Sequence, residues 1–218
     1  MPESFPALAV ALAVAGGVWG FVSDRIATRW PEHEEGVEPR RLDWRTVVCI
    51  VIGAAALAVL PGRFSDPVQL ALFTAWFLAL TTLLATDLDQ RLLPDLITLP
   101  LVPLAALAAI TGIDPLPHDS FGLAGAVAVA ILLPLGMYLL SIPFGPGAIG
   151  MGDLKLLFSV GLLSGLVRTI TGVVAGAFLA GIVIALLLVA RRITLKSFIP
   201  FGPFLVLGAF WSVLVRFG

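Results

Sequence analysis

Charge is what this sequence has least of. Asp, Glu, Lys and Arg make up only 12% of it and nearly cancel, to a formal net charge of −1. Hydrophobic residues make up 59%, and the mean hydropathy is +1.07, far outside the range of soluble globular domains. There is one cysteine, Cys49, which excludes an intrachain disulfide and any cysteine-based zinc cluster. It lies in an apolar run and reads as a small buried hydrophobe. The two histidines, His33 and His118, fall in loops predicted on opposite sides of a membrane, so no shared metal site and no cofactor are expected. No basic patch or cluster of stacking aromatics is present, which argues against a nucleic-acid partner. Met1-Pro-Glu-Ser4 lacks a positive n-region, and the first basic residue, Arg25, follows the first apolar run. That order predicts a retained first span with its N-terminus outside.

The sequence is rich instead in apolar runs punctuated by proline and glycine. They predict an all-α polytopic membrane helix bundle, a single membrane domain over 1–218, with about eight transmembrane helices. The spans are read as Ala7–Val22, Val47–Leu60, Val68–Thr86, Leu96–Ile110, Phe121–Ile142, Leu154–Leu166, Ile170–Ala190 and Phe201–Val215. A short cytoplasmic loop, 23–46, follows the first span, and Pro61-Gly62 ends the second. Pro94 closes a loop that opens at Asp87. Pro100 and Pro103 are expected to kink or locally open the fourth span. With the N-terminus outside, Arg25, Arg29, Arg40, Arg41, Arg45, Arg91, Lys155, Arg191, Arg192 and Lys196 are cytoplasmic. Only Arg63, Arg168 and Arg216 face out, which is the positive-inside bias.

Few acids remain inside this frame. Asp153 stands between Gly150 and Gly152 and a run uncharged from Lys155 to Arg168. A carboxylate at the mouth of a membrane helix is costly to keep and is by default a functional candidate. Asp87 sits where the third span exits on the same side. It reads equally as a partner for Asp153 or as a solvated charge paired with Arg91 one turn on. At ~1.5 Å per residue both reach the cytoplasmic edge, where two carboxylates can share a shallow pocket. Asp89 reads as solvated, Asp95 as a cap for the fourth helix, and Lys155 as snorkelling to lipid phosphates. Asp24, Asp43, Asp66, Asp114 and Asp119 read as ordinary loop charges. No Ser–His pair shares one side, and no Gly-rich phosphate loop follows a strand, so any enzymatic chemistry falls to two aspartates. The pentapeptide Ile142-Pro-Phe-Gly-Pro146 recurs as Ile199-Pro-Phe-Gly-Pro203. It reads either as turns punctuating helix ends or as rigid segments lining a pocket mouth.

At these residues the chain resembles the type IV prepilin peptidases, GxGD-type intramembrane aspartyl proteases. Asp87-Leu-Asp-Gln-Arg-Leu-Leu-Pro-Asp95 is similar to the family's first catalytic segment, and Gly150-Met-Gly-Asp-Leu-Lys155 to the second. Pro200-Phe-Gly-Pro-Phe204 matches its C-terminal segment, and 20–31 is a degenerate version of the end of its first span. The peptidase core motifs thus cover 83–218. The resemblance implies catalytic Asp87 and Asp153. It also implies a supporting set of Gly150, Gly152, Lys155, Pro94, Asp95, Pro200, Gly202 and Pro203. The implied substrates are type IV prepilin or pseudopilin-like precursors, cut before their hydrophobic helix. The implied location is a bacterial inner membrane, with the active site facing the cytoplasm and lipid around it. Many bacterial members carry a larger cytoplasmic domain with paired CxxC motifs after the first span, and also N-methylate the trimmed product. This chain has only 23–45 there and no cysteine in it, so zinc and methyl transfer are not implied. Two other classes stay open from the residues alone: a secondary transporter using Asp87 and Asp153 as a proton or cation relay, and a non-catalytic membrane assembly factor.

Overall fold

In the computed structural model, residues 4–31, 40–116, 121–145, 149–194 and 201–216 are described. His33, His118, Asp119, Pro146, Lys196, Ile199 and Pro200 lie outside these residues. Among the described residues seven α-helices follow one another: α1 (Ser4–Ala27), α2 (Trp44–Arg63), α3 (Pro67–Gln90), α4 (Asp95–Thr111), α5 (Gly122–Ser141), α6 (Met151–Val189) and α7 (Gly202–Leu214). No strand occurs among the described residues. Helices α1, α2, α3, α5 and α6 are long and apolar enough to cross a membrane, while α4 and α7 are shorter apolar helices. The polytopic helix bundle is therefore as the composition requires.

The count of about eight spans is not reproduced as separate helices. The expected sixth and seventh spans are two arms, 151–164 and 166–189, of one element broken at Gly165 (φ 75, ψ 179). That conformation is open to glycine and nearly closed to other residues. The chain folds back there: Thr169 Oγ1 donates to the Val160 carbonyl at 3.3 Å, whereas nine residues of straight helix would separate them by ~13 Å. The apolar pattern puts the break near Arg168 instead, because its charge suggests an outward loop. Arg168 is 2% exposed and donates to the Val215 carbonyl, so its charge is folded into the bundle end.

Two other boundaries move. Pro61 lies inside α2, which continues to Arg63. Asp87 is not in a loop, because α3 runs on to Gln90 and stops where Arg91 turns left-handed (φ 57, ψ 41). Helix α4 runs unbroken through Pro100 and Pro103. Asp66 caps α3 through the Val68 and Gln69 backbone N–H groups, both at 2.9 Å.

Small residues bring the helices together, since apolar lipid leaves contact packing as the main attraction between them. A Cβ on Gly20 would fall 2.6 Å from the Cys49 carbonyl carbon, and one on Gly161 2.6 Å from the Ala130 Cα. Such distances seat α1 on α2, and the first arm of α6 on α5. The second arm packs on α7, where a Cβ on Gly208 would lie 3.0 Å from the Gly172 carbonyl carbon. Trp76, Phe73, Phe77 and Leu80 fill the centre from α3, and Phe77 meets Phe210 edge-on at 4.9 Å. Polar bonds stitch α1 to α3: Trp19 Nε1 donates to the Leu78 carbonyl at 2.9 Å, and Gln90 Nε2 to the Ala27 carbonyl at 2.7 Å.

Several acids expected to be solvated are not. Asp24 is 1% exposed and is held by Arg25, Arg40 and Thr46. Arg40 also reaches Asp43, the cap of α2, and donates to Asp89 at 2.7 Å, while Arg45 donates to Asp89 at 2.9 Å. Asp114 is fully buried and accepts the Leu116 backbone N–H at 2.9 Å. A single cation shared among carboxylates remote in sequence leaves no periodic trace, which is why Asp24 and Asp43 read as loop charges and Asp89 as solvated.

Candidate active site

Asp87 and Asp153 reach one cavity from two helices. Asp87 is in the last turn of α3 and its backbone carbonyl accepts the Arg91 N–H at 3.0 Å, closing the helix. Its side chain makes no ion pair with Arg91 within 4 Å. The residue is 4% exposed, and its Oδ2 is buried with no hydrogen-bond partner among the described residues. A carboxylate buried this way is costly to keep in a membrane helix and is by default a functional candidate.

Asp153 is in the first turn of α6, after Gly150 in extended conformation (φ −67, ψ 138). Its carboxylate folds back on that glycine, Oδ2 lying 3.2 Å from where a Gly150 Cβ would stand. Gly152 lets α6 start against the segment before α4, since a Cβ there would be 2.7 Å from the Leu93 carbonyl oxygen. The cavity has a volume of about 310 Å³, and its wall includes Asp87, Arg91, Leu93, Asp95, Gly150 and Asp153. Both acids thus line one space. Arrangements of this kind suit acid–base chemistry, because two carboxylates in one site share a proton.

The supporting residues divide. Gly202, which opens α7, lies directly on Asp87: a Cβ on it would be 2.6 Å from the carboxylate carbon. Pro203 follows it, buried, in the first turn of α7. Pro94 is the buried residue before α4 and accepts the Ile97 and Thr98 N–H groups through its carbonyl, each at 3.0 Å. Asp95 does not cap α4, because Pro94 occupies the cap position and Asp95 is the first helical residue. Its Oδ1 accepts from Lys155 Nζ at 2.6 Å, so Lys155 reaches across to α4 and is not spread toward lipid. The two pentapeptides adopt different forms. Ile142–Phe144 is a 3₁₀ turn ending at Gly145 (φ 97), away from the cavity wall, whereas Phe201, Gly202 and Pro203 start α7 on Asp87.

Arg91 and Leu93 also line the cavity, Arg91 as more than a possible partner for Asp87. The available signal was their position between the two acids of the Asp87–Asp95 segment. No group of three or more His, Cys, Asp or Glu suited to a metal ion occurs among the described residues.

Residues 71–189, which carry both acids, match the model of the type IV leader peptidase family. The prepilin leader peptidase/N-methyltransferase of Escherichia coli (strain K12) is 34% identical over 168 residues, covering 75% of this chain and 71% of that protein. The protein of the same name from Pseudomonas putida is 29% identical over 167 residues, 76% of this chain and 57% of its own length. That from Pectobacterium carotovorum subsp. carotovorum is 31% identical over 167 residues, 75% of this chain and 56% of its own. The match thus spans little more than half of two of these three relatives. No solved structure matches the chain.

Proposed function

The chain belongs to the type IV leader peptidase family, and from that premise we propose that it is an intramembrane aspartyl endopeptidase. Its catalytic pair is Asp87 and Asp153, and it removes the leader of type IV pilin-like precursors at the cytoplasmic membrane edge. The observation that carries this reading is the meeting of two carboxylates, from the end of α3 and the start of α6, on one cavity of about 310 Å³.

The chemistry follows from the pair. One carboxylate is ionised and takes a proton from water as its oxygen adds to the scissile carbonyl carbon. The other is protonated and passes its proton to the carbonyl oxygen. When the tetrahedral adduct collapses, the C–N bond breaks, the nitrogen leaves with a proton, and a carboxylic acid and an amine result. The two acids act as a unit, so the roles belong to the pair. Gly150 and Gly152, without side chains, leave room for an extended substrate backbone.

Position supports the substrate class. The cavity lies at the bundle end where α3 stops and α4 and α6 begin, together with Arg25, Arg40, Arg45 and Lys155. Basic residues gathered at one end favour that end as cytoplasmic. A precursor whose apolar helix lies in the bilayer presents the bond before that helix at the same level. We propose leader cleavage alone, without methyl transfer, because the segment between α1 and α2 is short and holds no cysteine. The test is to incubate the purified chain with a pilin-like precursor in detergent and weigh the products by mass spectrometry. One cut just before the hydrophobic helix, with no added methyl group, is expected. A precursor that stays intact would overturn the reading.

A further inference from the structure

We propose that Lys155 and Asp95 are positioning residues, a clasp that sets where Asp153 stands relative to Asp87. The proposal rests on the peptidase reading of the cavity. Lys155 Nζ donates to Asp95 Oδ1 at 2.6 Å, joining the start of α6 to the first residue of α4. Side chains two apart on a helix point ~200° from each other. Lys155 therefore leans toward α4 while Asp153 turns into the cavity.

The clasp works with a second contact. Gly152 sits on Leu93, so the start of α6 is held at two points, one on the segment that links α3 to α4 and one on the first residue of α4. That link is short and constrained, because Arg91 ends α3 in a left-handed conformation and Pro94 fixes the entry to α4. It begins four residues after Asp87. A force on Lys155 is thus transmitted to the spacing of the two carboxylates through a few rigid residues.

Two magnitudes decide how this should show. The Asp95 and Lys155 side chains are 59% and 28% exposed, and exposed ion pairs contribute little to global stability. A displacement of ~1 Å in a catalytic arrangement, by contrast, costs about 100-fold in rate. The clasp should therefore act on kcat and leave the melting temperature almost unmoved.

The test compares Asp95→Asn, Lys155→Met, the double variant and the conservative Lys155→Arg. Cleavage is read as kcat and KM, alongside melting temperature. Continuous-wave dipolar broadening of electron paramagnetic resonance between spin labels at Leu92→Cys and Met151→Cys, in a Cys49→Ala background, reads the spacing of the α6 start from the segment that links α3 to α4. Each single variant should lose kcat about tenfold with KM and melting temperature held, and should broaden the label distance distribution. The double variant should be no worse than the worse single, since both changes cut one bond. Lys155→Arg should restore rate and distribution. Wild-type kcat in the singles, additive losses in the double, or a rate loss that tracks melting would each overturn the clasp. If the unaltered chain cuts no precursor yet the distance distribution responds as described, the clasp stands and the peptidase reading falls.

Discussion

A methyl group is enough to test how closely α7 and α3 are fitted. A Cβ on Gly202 would overlap the Asp87 carboxylate carbon at 2.6 Å, so alanine there must displace the acid or the start of α7. Gly145 holds the same place in the first pentapeptide, and a Cβ on it meets nothing within 4 Å. Its φ of 97 disfavours any side chain, at about 1–3 kcal/mol, but that strain lies away from the cavity wall. Gly202→Ala should lower kcat at least about tenfold, while Gly145→Ala should lose stability and keep its turnover. Steady-state cleavage and thermal melts of the two proteins check this, and equal turnover would return both copies to helix punctuation. Asp153 stands out in the sequence because a carboxylate beside an apolar run has few structural excuses, whereas Asp87 reads equally as a solvated charge paired with Arg91 and only the resemblance favours it. Asp24, Asp89 and Asp114 were misread because their partners are remote in sequence or hidden in backbone, which spacing does not report.

Among the elements, α3 depends most on its neighbours. Its end carries both Asp87 and Asp89, and Asp89 is tied by Arg40 and Arg45 to the loop and helix that follow α1. Partial burial works against the charge on Arg40, and the bonds to Asp24 and Asp89 outweigh it, holding the guanidinium above its ordinary value. Arg40→Met would leave Asp24, 1% exposed, short of one counter-ion. A loss of about 3 kcal/mol is expected, by analogy with buried ion pairs broken on one side. Asp89→Asn should lower the melting temperature in the same direction and by less, because Arg40 keeps Asp24 and Asp43. Denaturation of the solubilised variants decides it, and unchanged stability in both would reduce the network to a surface feature. The sequence placed a loop from Asp87 because polar residues begin there. Helix α3 continues because its last turn is stitched to α1 through Gln90 and to α2 through Asp89. The break at Gly165 was missed for the converse reason: a glycine in an apolar run looks like packing, and Arg168 looked like the turn.

At the scale of the molecule, composition alone required a helical membrane bundle, and the alternation of basic loops is what supports the proposed direction. The mutual seating of α1 on α2 and of α6 on α7 was not readable, since glycines serve packing and turns alike. The short segment between α1 and α2, without cysteine, makes a further prediction for the whole chain. Elemental analysis of the purified protein should find no stoichiometric zinc, and cleavage should survive chelators; bound zinc in equal amount would contradict it. In the proposed reaction Asp87 and Asp153 act as one unit. The most direct measurement is cleavage of one purified precursor by Asp87→Asn, Asp153→Asn and the double variant, each verified as folded by its melting temperature. Residues that act together in one chemical step are strongly non-additive when removed. Each single variant should be as inactive as the double, with melting temperatures at or above that of the unaltered chain. Near-native cleavage by either single variant, or two partial losses that multiply in the double, would contradict a shared catalytic pair.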